Sequence, residues 1–284
     1  MKLVGIMPAR NESWVIGASL RAALMWCDQV IVLNHASTDE TQRIVHEVSA
    51  ENHSRVWYTT IDNPRWSEME HRQHLLQMAR TNGATHIALV DADEILTGNL
   101  LPSIRSWIAV LQPGATMQVG MLAMWRSLDY YRAGKSVWSN RNDLTLAFCD
   151  SPSMNWNANN GYDHHHREPH GSRPQVRGTL HGGVMHLQWA SWRRLKAKHA
   201  RYKMDERLKY RQKPVAEIDR MYSLATNEDN LEVRLAPSDW WAPYMHLRQY
   251  IDLNAEPWQE QQCREWMAEF GAEKFRGLDL FGVA

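Results

Sequence analysis

Cysteine is scarce in this sequence. Cys27, Cys149 and Cys263 stand far apart, an odd number with no Cys-x-x-Cys pair, which excludes a disulfide framework and suits a reducing compartment. Excess charge is lacking too. The 32 Lys and Arg balance the 32 Asp and Glu, so no global field draws the chain to nucleic acid or membrane, and any electrostatic site has to be local. Long hydrophobic runs are missing: nothing approaches the ~18 consecutive apolar residues of a membrane span. The opening "MKLVGIMPARNE" breaks its apolar stretch at Arg10, too early for a secretory signal. These absences predict a cytoplasmic protein, at most peripheral at a membrane surface. There is no internal repeat.

What is present is a chain of 284 residues, 44% hydrophobic and with 14 Trp, long enough for one large core with an extension. Short apolar runs alternate with amphipathic ones. "KLVGIMP", "QVIVLN", "RVWYTTI" and "THIALVD" read as strands. "WVIGASLRAALMW", "ASTDETQRIVHEV" and residues 66–81 read as helices between them. Asn11 or Ser13 is placed to cap the first helix and Ser37 or Thr38 the second. Such alternation predicts right-handed βαβ units and a mostly parallel sheet. After about residue 115 the rhythm changes. "TMQVGMLAMW" and "DLTLAFCD" look like strands without intervening helices, and residues 150–183 look like long polar loops around a site. A helix is expected near 190–212, followed by a helical tail containing a Trp-rich loop, "SDWWAPY".

The fourth strand ends in "HIALVDADEIL", which sets down Asp91, Asp93 and Glu94 within four positions. Like charges this close repel, and desolvating them is costly unless something positive sits among them. In open α/β sheets ligands bind beyond the carboxyl ends of the strands, so a hard divalent cation with substrate phosphates is the expected counter-charge.

Four ordered stretches, "MPARNES", "VIVLNHASTDET", "EMEHRQHLLQMARTNGATHIALVDADEIL" and "HLQWASWRRLKAKHARYKMDE", resemble family 2 glycosyltransferases of the GT-A fold. The resemblance is closest to the branch containing lipopolysaccharide-core glucosyltransferases, and it covers roughly residues 1–210. It implies an α/β fold of Rossmann-like type: a mostly parallel central sheet flanked by helices, with a helical C-terminal extension. The implied division is 1–213 for the transferase domain, with 1–98 the nucleotide-sugar half and 99–213 the acceptor and metal half, and 214–284 for the extension.

The resemblance also implies site residues. Asp91 and Asp93 form the metal-binding Asp-x-Asp motif for Mn²⁺ or Mg²⁺, with Ala92 between them at the donor and His186 as a third ligand. Pro8, Ala9, Arg10, Asn11 and Glu12 lie under the nucleotide. Asn34 stands where the family commonly has a base-contacting carboxylate, while Asp39 matches its family counterpart. An amide offers both donor and acceptor, which keeps uracil available. Arg72 matches a basic position near the nucleotide, although a solvated helix-face arginine reads equally well. Transfer with inversion needs a carboxylate to take the acceptor's proton. Glu168, eighteen residues before His186, is the first choice and Asp163 the second, although Arg167 interrupts the His-Glu pair of the family branch. The run His164–His166 could bind a metal, bind an anionic acceptor or decorate a loop. Asp143 could bind acceptor or cap a turn.

The implied reaction is metal-dependent, inverting transfer from a nucleoside-diphosphate sugar, a UDP-sugar before others, to an acceptor that is a glycan, a lipid-linked sugar or modified nucleic acid. A sugar-nucleotide pyrophosphorylase is disfavoured because "PARNES" lacks the glycines of a phosphate loop. The alternative of another class is a protein binding nucleic acid or another polyanion through 193–213, where ten Lys or Arg meet two acids. A solvated helix face explains the same run.

Overall fold

The computed structural model describes all residues except 64, 66, 135–140, 157–166, 177–180 and 284. Asp163 and His164–His166 therefore lie outside the described residues. The chain divides into two units, each built from several segments.

The first unit, residues 1–122, 141–186 and 237–252, holds the sheet. Its first half follows the alternation in the sequence: β1 (Leu3–Ala9), α1 (Ile16–Ala23), β2 (Gln29–His35), α2 (Thr41–Glu51), β3 (Val56–Ile61), α3 (Glu68–Thr81) and β4 (His86–Leu89). Strands β3, β2, β1 and β4 lie side by side and parallel. Val4, Ile6, Ile31, Leu33, Ile87 and Leu89 from this sheet pack on Leu75, Leu76 and Ala79 of α3, with Phe148 and Trp156 closing the core.

The rest of the sheet comes from β5 (Glu94–Leu96), β6 (Ala115–Ala123), β8 (Arg141–Cys149), β9 (Arg173–Val176) and β10 (Gly183–His186), with helix α4 (Leu101–Ala109) after β5. The order runs β3-β2-β1-β4-β8-β6-β10-β5, and β9 joins β6. β8 is antiparallel to β4 and β6, and β10 is antiparallel to β5, with His186 opposite Glu94. The polar region 150–183 is thus not all loop, since β9 pairs with β6 in parallel.

β10 passes very close to β6: a Cβ added at Gly183 would lie 2.1 Å from the carbonyl oxygen of Gly120. Backbone cannot yield as a side chain does, so Gly183→Ala forces the strands apart and should cost about 3 kcal/mol. Urea unfolding checks this; a variant as stable as the parent would contradict the close approach.

"SDWWAPY" is not the loop expected from its composition. It forms α7 (Ser238–Trp241) and a 3-10 stretch, Ala242–Tyr250, which packs on α1 and against Gly98. Trp240, Trp241 and Tyr244 are buried there. Their aromatic surface supplies core, not an exposed stacking platform.

The second unit, residues 123–140, 187–236 and 253–284, centres on α5 (Trp192–Lys209), with α6 (Val215–Ser223) and α8 (Trp258–Phe270) against it. A two-stranded ribbon pairs β7 (Tyr130–Ala133) with β11 (Glu232–Leu235). The basic run on α5 is neither a plain solvated face nor an array of free cations. Arg193 pairs with Glu260 at 2.7 Å, Lys209 with Asp205 at 2.8 Å and Lys213 with Glu206 at 3.2 Å. Arg201 lies over the rings of Trp258 and Trp266, and Lys203 is fully buried. Among the described residues no helix is long and apolar enough to cross a membrane.

Candidate donor and metal site

The loops after β1 and β2 are laced together by hydrogen bonds. Asn11 and Ala36 both take left-handed backbone, φ 53° and 44°, a conformation that asparagine tolerates better than alanine. The Asn11 amide donates to Ser37 Oγ at 2.9 Å, and its Oδ1 accepts from the Thr38 amide at 2.7 Å. The Glu12 amide donates to Thr41 Oγ1 at 2.8 Å. Asp39 accepts from the amides of Ser13 and Thr41, both at 3.0 Å. Asp39 therefore satisfies the start of α2, where Ser37 or Thr38 was expected, and Asn11 ties to the next loop instead of capping α1. Pro8 and Ala9 are buried at the end of β1, and Glu12 accepts from Trp14 Nε1 at 2.7 Å. Arg10 is half-buried, and its charge reaches His35.

Asn34 is buried at the same sheet end, and its Oδ1 has no hydrogen-bond partner among the described residues. Beside it the rings of His35 and His71 lie 4.5 Å apart. Burial, and then the positive charge of Arg10, push His35 down; burial followed by His35, His74 and Arg10 push His71 down to about 4. Both imidazoles are thus neutral near pH 7. Sequence reasoning missed this pair, although "NHAS" and "EHRQ" both fall within the motifs it used.

The carboxylates are separated by a turn. The Glu94 amide donates to the Asp91 carbonyl at 3.0 Å, so the chain bends between the two aspartates and sends them to different partners. Asp91 receives Arg72 Nη2 and Arg167 Nη1, each at 3.1 Å. Glu94 receives Arg167 on both oxygens, at 2.7 and 2.6 Å. Arg72 also pairs with Glu68 at 2.9 Å and is buried, which removes the solvated-helix-face reading. Burial opposes ionisation of Asp91, but Arg167 and then Arg72 outweigh it and hold the carboxyl below its ordinary range. The positive charge within the acidic cluster is therefore, in the first place, two guanidinium groups.

Asp93 turns the other way, its Oδ2 lying 3.3 Å from His186 Nε2. The β5–β10 register, with His186 opposite Glu94, is what brings together two residues so far apart in sequence. Among the described residues no group of three His, Cys, Asp or Glu converges as a ligand set. An aspartate oxygen and an imidazole nitrogen 3.3 Å apart are donor types that Mg²⁺ or Mn²⁺ accepts, and substrate phosphate oxygens would complete the set. Asp91 carries guanidinium on both oxygens and lies near enough to feel the charges of Asp93 and His186. Glu168, half-buried, accepts from Thr145 Oγ1 at 3.2 Å. Ala92 is buried, and its carbonyl accepts from Ser19 Oγ at 2.6 Å. Asp143 is exposed at the start of β8.

Comparison with known proteins decides the family. The sequence model of glycosyl transferase family 2 matches residues 6–160, more than half of the chain. The chain belongs to glycosyl transferase family 2. It is a glycosyltransferase of GT-A fold, with the α/β sheet and helical C-terminal region described above.

Among solved structures, S. aureus TarS (residues 1–349) is 13% identical, with a TM-score of 0.46 over 97% of this chain and 89% of that one. The same protein with UDP aligns over 43% of this chain and 36% of its own, at 19% identity and a TM-score of 0.36. The mannosyltransferase PcManGT from Pyrobaculum calidifontis, in complex with GDP-Man and Mn²⁺, is 16% identical, with a TM-score of 0.42 over 95% of this chain and 75% of its own. No curated protein sequence matches the chain significantly.

Proposed function

We propose that this family 2 enzyme is a metal-dependent, inverting glycosyltransferase of the lipopolysaccharide-core-like branch, moving a sugar from a UDP-sugar to an acceptor hydroxyl. The acceptor is a glycan, a lipid-linked sugar or modified nucleic acid. The observation that carries the reading is the Asp93–His186 pair, 3.3 Å apart at the carboxyl end of the sheet. A divalent cation, Mn²⁺ or Mg²⁺, held by that pair would supply charge neutralisation to the diphosphate leaving group.

Pro8 to Glu12, Asn34 and Asp39 form the floor on which the nucleotide rests. Asn34 offers its buried, unpaired Oδ1 to the N–H edge of a base, as uracil requires. Arg167 and Arg72 hold Asp91 ionised beside Ala92 for the donor. Glu168, fixed by Thr145, takes the acceptor's proton as the acceptor oxygen bonds to the anomeric carbon. The bond from that carbon to the diphosphate oxygen breaks, the nucleoside diphosphate leaves, and configuration inverts. Asp163 is the second choice for the base. The polyanion-binding alternative gains little from α5, where Arg193, Lys209 and Arg201 are engaged by acids and rings of their own unit.

A thermal-shift panel of nucleotide sugars with and without Mn²⁺ tests the reading, because a ligand bound only by the native state raises the midpoint by mass action. The expected result is a shift with UDP-sugars that requires Mn²⁺. No shift with any nucleotide sugar in a folded, Mn²⁺-supplied sample would overturn it.

A further inference from the structure

Arg167 interrupts the pattern from which Glu168 is read as a base, yet it is among the most heavily engaged side chains at the site. Its side chain is 11% exposed and makes four contacts: Asp91 Oδ2 at 3.1 Å, Glu94 Oε1 at 2.7 Å, Glu94 Oε2 at 2.6 Å and the Leu89 carbonyl at 2.6 Å. Burying a guanidinium among carboxylates is no general route to stability, because packed apolar residues often do as well. A planar fork does something they cannot: it holds several acceptors in one fixed geometry.

The next residue is Glu168. Its carboxylate accepts from Thr145 on β8, and the β4–β8 register, Ala88 opposite Ala147, sets Thr145 level with the carboxyl end of β4. Glu168 is thus held from two sides at that end of the sheet, by Thr145 through its side chain and by Arg167 through the backbone. We propose that Arg167 is the positioning residue of the site, one guanidinium that orients Asp91 for the donor and carries Glu168 to the acceptor. The role rests on the donor-site reading above. It predicts that donor affinity depends on the charge of Arg167, and turnover on its fork.

Arg167→Met and Arg167→Lys separate these contributions. The two readouts are UDP affinity in the presence of Mn²⁺ and the rate of Mn²⁺-dependent UDP release from UDP-glucose, with water standing in for the acceptor hydroxyl. Arg167→Met should lose about tenfold in both, the cost of removing an outer partner of a ligand-binding carboxylate. Arg167→Lys should recover the affinity but remain about tenfold slow, because one ammonium cannot span Asp91, Glu94 and the Leu89 carbonyl together. A purely structural residue would lower the melting midpoint in both variants without splitting affinity from rate. If Arg167→Met does not fold, Arg167→Lys decides alone: slow release at unchanged UDP affinity supports the role, and release at the parent rate overturns it. An Arg167→Met that folds and matches the parent in both readouts also overturns it. A parent chain that binds no UDP with Mn²⁺ removes the donor-site reading and this role with it, a failure visible before any substitution is made.

Discussion

Asp93→Ala is expected to lower the rate of UDP release from a UDP-sugar about a thousandfold, the scale of losing a preorganised charge at a developing anion. Asp93 faces His186 at 3.3 Å and is nearly buried, and its loss leaves a single nitrogen to hold a cation. Asp91→Ala should behave differently. Its carboxylate is bound by Arg72 and Arg167, so removing it takes one of two carboxylate partners from each of two largely buried guanidiniums, which keep Glu68 and Glu94, and costs stability as well as activity. Steady-state rates with Mn²⁺ in excess, measured beside melting midpoints, separate the two. An Asp93→Ala enzyme with a parent-like rate would place the chemistry elsewhere.

Asp219→Asn is expected to destabilise the second unit by about 3 kcal/mol, the usual cost of breaking a buried pair from one side. Lys203 has no exposed surface, and its ammonium is shared by Asp219 Oδ1 at 2.8 Å, Ser223 Oγ at 2.9 Å and the Asp279 carbonyl at 2.8 Å, with the Phe281 ring 4.0 Å away. It therefore ties α5 to α6 and to the C-terminal residues. Lys203→Met should cost less than Asp219→Asn, because the thioether fills the volume and Asp219, 28% exposed, keeps access to water. Urea unfolding followed by tryptophan fluorescence reports the difference. The opposite ranking, or no effect of Asp219→Asn, would mean that the acid does not compensate the buried ammonium.

The parallel half of the sheet was readable because its signals are local. Apolar runs of strand length alternate with amphipathic runs of helix length, and α3 at Glu68–Thr81 nearly fills the expected 66–81. Boundaries slipped where tertiary contacts rule. β4 ends at Leu89, two residues short of the expected strand, ahead of the turn from Asp91 to Glu94. "SDWWAPY" has a loop's composition, yet it coils into helical turns that bury its aromatics.

At the site, the aspartates were found from their place at a strand end and His186 by resemblance, but the pairing of Asp91 with Arg72 and Arg167 was not. Only the β5–β10 pairing brings His186 to Asp93, and no spacing rule in a single sequence reveals an antiparallel pair so distant. Arg167 illustrates the same limit. In "HHHREPH" it looked like an interruption, because an ion pair across the fold leaves no periodicity to read. Asp39 looked like a nucleotide contact by resemblance, and the structure adds that its oxygens already serve the amides of Ser13 and Thr41.

The central claim is that Asp93 and His186 hold a cation which in turn holds the donor's diphosphate. Calorimetric titration of UDP into the protein, with Mn²⁺ and again with a chelator, tests it most directly. The account predicts binding with Mn²⁺ that disappears with the chelator and in both Asp93→Ala and His186→Ala. UDP binding of equal strength with and without metal, or undiminished in those two variants, would contradict it.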